Sequence, residues 1–177
     1  MSAPITITGA LIGSAWLIIC SVCDWRKREV PLPLTYIPLA IAVVWSAIYG
    51  NAPASLLSVL MLFIVSLDKC PVIAISILSL AFAIILGLFI LDLTLNNFLP
   101  IIIVFGVYLL WYFGGTGGSD ARLLVALTLA FGLPAFIFSV FAGGLFGAVA
   151  LAVKQKTIPY VIPITIGTIA FFTINLL

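Results

Sequence analysis

The sequence predicts an all-α fold: a polytopic bundle of about eight transmembrane helices, formed as a single domain over residues 1–177 with no separate soluble part. Three observations carry this prediction. Apolar residues make up 65% of the 177 positions and charged residues only 7%, and the mean hydropathy is +1.43. A soluble domain holds ~25% charged and ~45–50% apolar residues. A chain this small cannot hide such a surplus in its own core. The apolar runs are also continuous rather than alternating, which disfavours a β-barrel.

Polar punctuation sets the elements in order. Apolar stretches run over 4–23, 33–49, 54–67, 71–91, 98–113, 121–132, 135–153 and 158–177. The breaks are the Asp24–Glu29 charge run, Asn51-Ala52-Pro53, Asp68-Lys69, Asp92 to Asn97, the loop 114–120, Gly132-Leu133-Pro134 and Lys154 to Thr157. A spanning helix needs ~20 apolar residues, with ~17 near the lower limit. The stretches 54–67 and 121–132 fall short of that, so six or seven spans are the neighbouring readings. The first stretch has no Lys or Arg ahead of it and basic residues directly after it. It therefore reads as a retained helix rather than a cleaved signal.

Charge supports a count of eight. With the N-terminus outside, Arg26, Lys27, Arg28, Lys69, Lys154 and Lys156 all fall on one side, and Arg122 lies a turn from it. The other side receives Asp92, Asn96 and Asn97 and no basic residue. Basic residues gather on the cytoplasmic side of membrane proteins. The expected location is the cell membrane, with contacts to membrane lipids. Gly9 with Gly13, and Gly143 with Gly147, have the G-x-x-x-G spacing that lets helices approach closely. Such patterns mostly pack a bundle, and no dimer is inferred from them.

Missing residues exclude several chemistries. Without His there is no Ser-His-Asp triad and no H-E-x-x-H zinc site. Cys20, Cys23 and Cys70 cannot alone make a four-Cys zinc site. Cys20 and Cys23 close an apolar helix, where free Cys behaves as a small hydrophobe. The net charge of +2 with no basic stripe gives no footprint for nucleic acid.

Only five acids remain, so each can be weighed. Asp92 reads as a solvated loop residue. Asp68 beside Lys69 reads as a local ion pair or an interface anchor at the inner face, and Glu29 beside Arg28 as a solvated loop charge. Asp24 and Asp120 differ, because the topology brings both to the same face at a membrane boundary, where an ionisable group is costly to desolvate. Two carboxyls in one low-dielectric pocket cannot both ionise comfortably, and such a pair can act as acid and base. The charged member activates water and the neutral one polarises a carbonyl. Asp120 follows Gly114-Gly115-Thr116-Gly117-Gly118-Ser119. Bare backbone there suits close approach by an extended peptide. The plainer reading is a flexible loop with Asp120 as a helix N-cap.

Two stretches together resemble the type IV prepilin peptidases, and more narrowly the archaeal preflagellin/prepilin peptidases. Asp24-Trp25-Arg26-Lys27-Arg28-Glu29-Val30-Pro31-Leu32-Pro33-Leu34-Thr35 is similar to the family's Asp, polar run, aliphatic-Pro pair and Thr. Gly117-Gly118-Ser119-Asp120-Ala121-Arg122 is similar to its G-x-G-D motif. Ile158-Pro159-Tyr160-Val161-Ile162-Pro163 is loosely similar to a Pro-bounded aromatic segment of the family. Ser119 stands in place of the second motif Gly, and Leu32 where Asn or Asp is usual. The four-Cys domain of bacterial relatives is absent, which puts a methyltransferase activity in doubt, and zinc with it.

The resemblance implies an aspartic endopeptidase with Asp24 and Asp120 as its catalytic dyad, and neither metal nor cofactor. Its partners would be prepilin, prearchaellin or similar precursors with class III-type signal peptides, cut on the cytoplasmic side after a short basic leader. Gly117, Gly118 and Ser119 would border the substrate backbone. Glu29 or Asp68 would pair with leader Lys or Arg. Arg122 would neutralise Asp120 or a phospholipid, and the sequence does not decide between them. The competing reading is a small transporter or ion channel using Asp24 and Asp120 as a cation or proton site. Both lie at segment ends rather than near a midplane, and the two halves show no repeat.

Overall fold

A computed structural model describes residues 6–49, 52–66, 95–114, 116–153 and 159–176. Seven helices account for nearly all of them, and no strand occurs among the described residues. They are α1 (Ile7–Lys27), α2 (Leu32–Ile48), α3 (Ala52–Ser66), α4 (Leu95–Tyr112), α5 (Gly118–Phe131), α6 (Leu133–Ala152) and α7 (Val161–Leu176). The predicted span at 71–91 lies outside the described residues. Two helical stretches, Ile7–Lys27 and Leu133–Ala150, are long and apolar enough to cross a membrane, and the other apolar helices are shorter.

α1 starts where Thr6 accepts the Gly9 N–H on its side chain at 3.1 Å. It does not stop at the Asp24–Glu29 charge run, as the punctuation suggested. The helix continues to Lys27 and ends at Arg28, which takes the left-handed conformation (φ 56°). The reason is electrostatic. Arg26 and Lys27 occupy the last turn, where the helix dipole favours positive charge.

α2 carries Pro38 in its interior. Proline has no N–H, so the carbonyl four residues earlier loses its helical donor. That carbonyl belongs to Leu34, and the indole N–H of Trp16 on α1 donates to it at 2.8 Å. The Cys20 thiol reaches it at 3.9 Å. A helix-breaking residue in α2 thus creates the acceptor that ties α2 to α1. Cys20 is fully buried and both Cys20 and Cys23 are free thiols, in keeping with a packing role.

α5 is the hub. Every residue from Ala121 to Leu129 is buried, as expected of a helix that is apolar all round. It packs against α2, α4 and α6, and more lightly against α3. α3 packs against α2 and α4. Gly132 (φ 81°) separates α5 from α6 and sends the chain into a new helix within one residue. α7 lies between α6 and α1. Hydroxyl pairs join these neighbours: Ser21 with Thr165 at 2.6 Å and Ser139 with Thr168 at 2.9 Å. Gly167 fits α7 against α6 so closely that a Cβ there would run into the Phe138 carbonyl. Large apolar side chains cover the outer faces, among them Leu11, Ile12, Ile41 and Phe141.

Candidate functional site

Asp24 lies in the last complete turn of α1, and only 8% of its surface is exposed. Its Oδ2 accepts the main-chain N–H of Val161 at 3.2 Å. Val161 is the first residue of α7, so the carboxylate sits at a helix N-terminus, where unpaired N–H groups and the dipole favour negative charge. The contact requires the end of α1 and the start of α7 to lie side by side. Deeper along the same pair, Thr165 donates to the Leu17 carbonyl at 3.2 Å.

Asp120 lies in the first turn of α5. It is not the N-cap. Gly117 holds that position, with extended backbone (φ −68°, ψ 147°). The Asp120 carboxyl reaches back to the Gly117 N–H and also accepts from the Ser119 hydroxyl, the arrangement by which an acid at the third helical position caps its own helix. A Cβ on Gly117 would lie 3.0 Å from Asp120 Oδ2. Burial, and then the negative charge of Asp24, push Asp120 up to about 6 despite those two hydrogen bonds. The two acids therefore sense each other, from the end of one helix and the beginning of another.

Tyr160 adjoins the pair. It precedes Val161, and its hydroxyl packs against Gly143 of α6, where a Cβ would collide with it. Burial and then the charge of Asp120 raise its phenol above the usual tyrosine range. One dipeptide, Tyr160-Val161, thus meets Asp120 through its ring's surroundings and Asp24 through its backbone. The sequence marked Tyr160 only as an aromatic between prolines.

Two of the glycines before Asp120 are fixed in specific ways. Gly114 has φ 75°, a conformation that side chains resist. Gly118 lies under the Trp111 ring, and a Cβ there would come within 2.8 Å of Trp111 Cζ2. Thr116 Oγ1 is buried with no hydrogen-bond partner among the described residues.

Arg122 faces neither Asp120 nor lipid, contrary to both sequence expectations. Two positions along a helix correspond to ~200° of rotation, which puts the two side chains on opposite sides of α5. Arg122 is 7% exposed. Its Nε donates to the Gly118 carbonyl at 2.8 Å, and its guanidinium lies 4.5 Å from the centre of the Tyr36 ring and 5.3 Å from that of Trp111.

Of the other expected site residues, Gly117 and Ser119 surround Asp120, and Gly118 forms the adjoining floor. Glu29 is exposed in the turn after α1. Asp68 lies outside the described residues, as do Lys69, Lys154 and Lys156. Among the described residues no group of three or more His, Cys, Asp or Glu side chains could hold a metal ion. No protein-family model, curated protein or solved structure matches the chain.

Proposed function

We propose that the chain is a membrane-embedded aspartic endopeptidase of the prepilin-peptidase type, which removes the short basic leader from prepilin- or prearchaellin-like precursors at the cytoplasmic face. One observation carries the reading: Asp24 and Asp120, from different helices, lie near enough that the charge of the first helps hold a proton on the second. A carboxyl that keeps its proton close to a second acid is what acid–base cleavage of an amide by water needs.

In this reading Asp24 takes a proton from water while the water oxygen adds to the scissile carbonyl carbon. Asp120 gives its proton to the carbonyl oxygen, making a gem-diol. Collapse breaks the C–N bond: Asp24 protonates the departing amine, and Asp120 recovers a proton from the diol. Both acids end as they began, and one water is consumed. The bare backbone of Gly117 and Gly118 leaves room for an extended leader, and exposed Glu29 offers it a negative charge.

Membrane embedding is supported by the two long apolar helices and by the exposed apolar faces, which water would disfavour. We take the full arrangement to be eight spans with the N-terminus outside. Exposed Arg26, Lys27 and Arg28 then meet anionic headgroups close to the acid pair.

The test is co-expression with a panel of class III-type precursors. Wild type should shorten at least one precursor by its leader, whereas Asp24→Asn and Asp120→Asn should insert normally and leave every precursor intact. Appreciable turnover by either variant removes that residue from the dyad. Cation or proton flux through proteoliposomes, with no cleavage, would favour a transporter.

A further inference from the structure

We propose that Arg122 is a positioning residue: held against the rings of Tyr36 and Trp111, it fixes the Gly117–Ser119 turn and so sets where the Asp120 carboxyl points. The role assumes Asp120 is functional, and so rests on the peptidase reading. The geometry behind it does not.

A guanidinium at 7% exposure is costly to keep away from water. An apolar side chain would fill the same space without that cost, so the charge calls for a reason. Its surroundings supply one. Side chains on a helix tilt toward the N-terminus, so Arg122 covers the first turn of α5, the turn that contains Asp120. There Nε donates to Gly118 O at 2.8 Å. The cation lies over two aromatic rings, Tyr36 from the start of α2 and Trp111 from the end of α4. Trp111 has a second duty. Its ring presses on the Cα of Gly118, leaving no room for a Cβ. Gly118 is therefore held from both sides, by a hydrogen bond to its carbonyl and by an indole over its Cα.

The residue next to Gly118 in each direction touches the acid: the Gly117 N–H and the Ser119 hydroxyl both donate to Asp120. A shift of the Gly118 peptide plane moves both donors. The clamp thus acts on Asp120 through its own capping turn. Arg122 is not a counter-ion, since it projects from the opposite side of α5. Among the described residues, the titratable groups facing Asp120 are Asp24 from α1 and Tyr160 ahead of α7.

The requirement is for a planar cation. Lys retains the charge but has no Nε–H beside the stem and no flat face for two rings. Arg122→Lys is therefore predicted to fail as a substitute, while insertion and folding hold.

The experiment uses full-length protein in detergent and two readouts. The first is labelling of Asp120 by a hydrophobic carbodiimide, which reacts with the protonated carboxyl, followed by mass spectrometry across pH. The second is the kcat and KM for a leader-bearing precursor. For Arg122→Lys, and for Arg122→Gln, the pH of half-labelling should rise, because the Gly117 bond that holds Asp120 down is loosened. The kcat should fall ~10- to 100-fold, the scale of a small misplacement of a catalytic group, with KM within about twofold. Adding Trp111→Ala to Arg122→Lys should lower kcat no further, since both act through Gly118. Should the Arg122 variants fail to fold, Trp111→Phe, which keeps a smaller ring over the turn, should shift labelling in the same direction. An unmoved labelling curve in folded Arg122→Lys, or in Trp111→Phe when that variant decides, overturns the clamp. Full kcat in Arg122→Lys does the same. A shifted curve in a protein that cleaves nothing, wild type included, leaves the clamp standing and removes the peptidase reading.

Discussion

Asp24 Oδ2 accepts the Val161 main-chain N–H at 3.2 Å, a bond between residues 137 positions apart in the chain. It makes the first acid a structural link between α1 and α7 as well as a candidate base. Asn retains an acceptor oxygen and Ala does not. Asp24→Asn should therefore lose cleavage while melting close to wild type. Asp24→Ala should lose cleavage and also about 1–3 kcal/mol of stability, from a buried N–H left without a partner. Thermal unfolding in detergent separates the two, and equal melting of both variants would show that the bond contributes nothing.

Asp120 is raised to about 6 by burial and by Asp24. The folded protein then binds a proton more tightly than the unfolded chain, so stability falls as pH rises from about 4, the ordinary carboxylate value, through that range. Asp120→Asn removes this loss. Above pH 6 the variant should be more stable than wild type, by on the order of 1–3 kcal/mol, and the advantage should vanish near pH 4. Cleavage by wild type should decline as pH rises through about 6, where Asp120 loses the proton it would donate.

Trp16 donates to the Leu34 carbonyl that Pro38 leaves free. Trp16→Phe should cost about 1–3 kcal/mol by orphaning that oxygen. Pro38→Ala restores the helical donor, so the penalty should shrink in that background. A double-mutant cycle measures the difference, and strict additivity would show that the proline and the indole are unrelated.

Gly167 and Gly143 are pinned and their neighbours are not. Gly167→Ala drives a Cβ into the Phe138 backbone, which cannot rotate away, and should destabilise by about 1–3 kcal/mol. Gly143→Ala meets the end of the Tyr160 side chain, which can move, so its effect should fall on cleavage more than on melting. Gly144→Ala and Gly147→Ala enter open space and should be silent in both assays.

These glycines also mark how far a sequence can be read. Helical class followed from unbroken apolar runs, and Gly132 was visible as a break. G-x-x-x-G spacing was less informative. A Cβ on Gly13 would meet the Phe131 and Phe172 rings and one on Gly143 would meet Tyr160, but one on Gly147 would enter open space and one on Gly9 would meet only Thr6. The close approach at Gly167 belongs to no such pattern. The charge run after Cys23 reads as a break, yet α1 continues to Lys27 because Arg26 and Lys27 suit a helix C-terminus. Asp24 and Asp120 stood out because so few acids exist. The residues around them did not, because Val161 acts through its backbone, which no side-chain pattern reports. Tyr36 and Trp111 acquire meaning only once α2 and α4 flank α5.

The hub helix α5 has 14 residues and rises only ~21 Å, against a hydrocarbon layer of ~30 Å. In a bilayer its two ends cannot both reach the headgroups. If the Gly132 end is level with one leaflet, the acid end lies ~9 Å beneath the other, at the floor of a dimple that lipids must thin to follow or that solvent must fill. For the proposed peptidase, a precursor threaded to that floor would have its susceptible bond drawn below the surface plane, out of reach of soluble proteases.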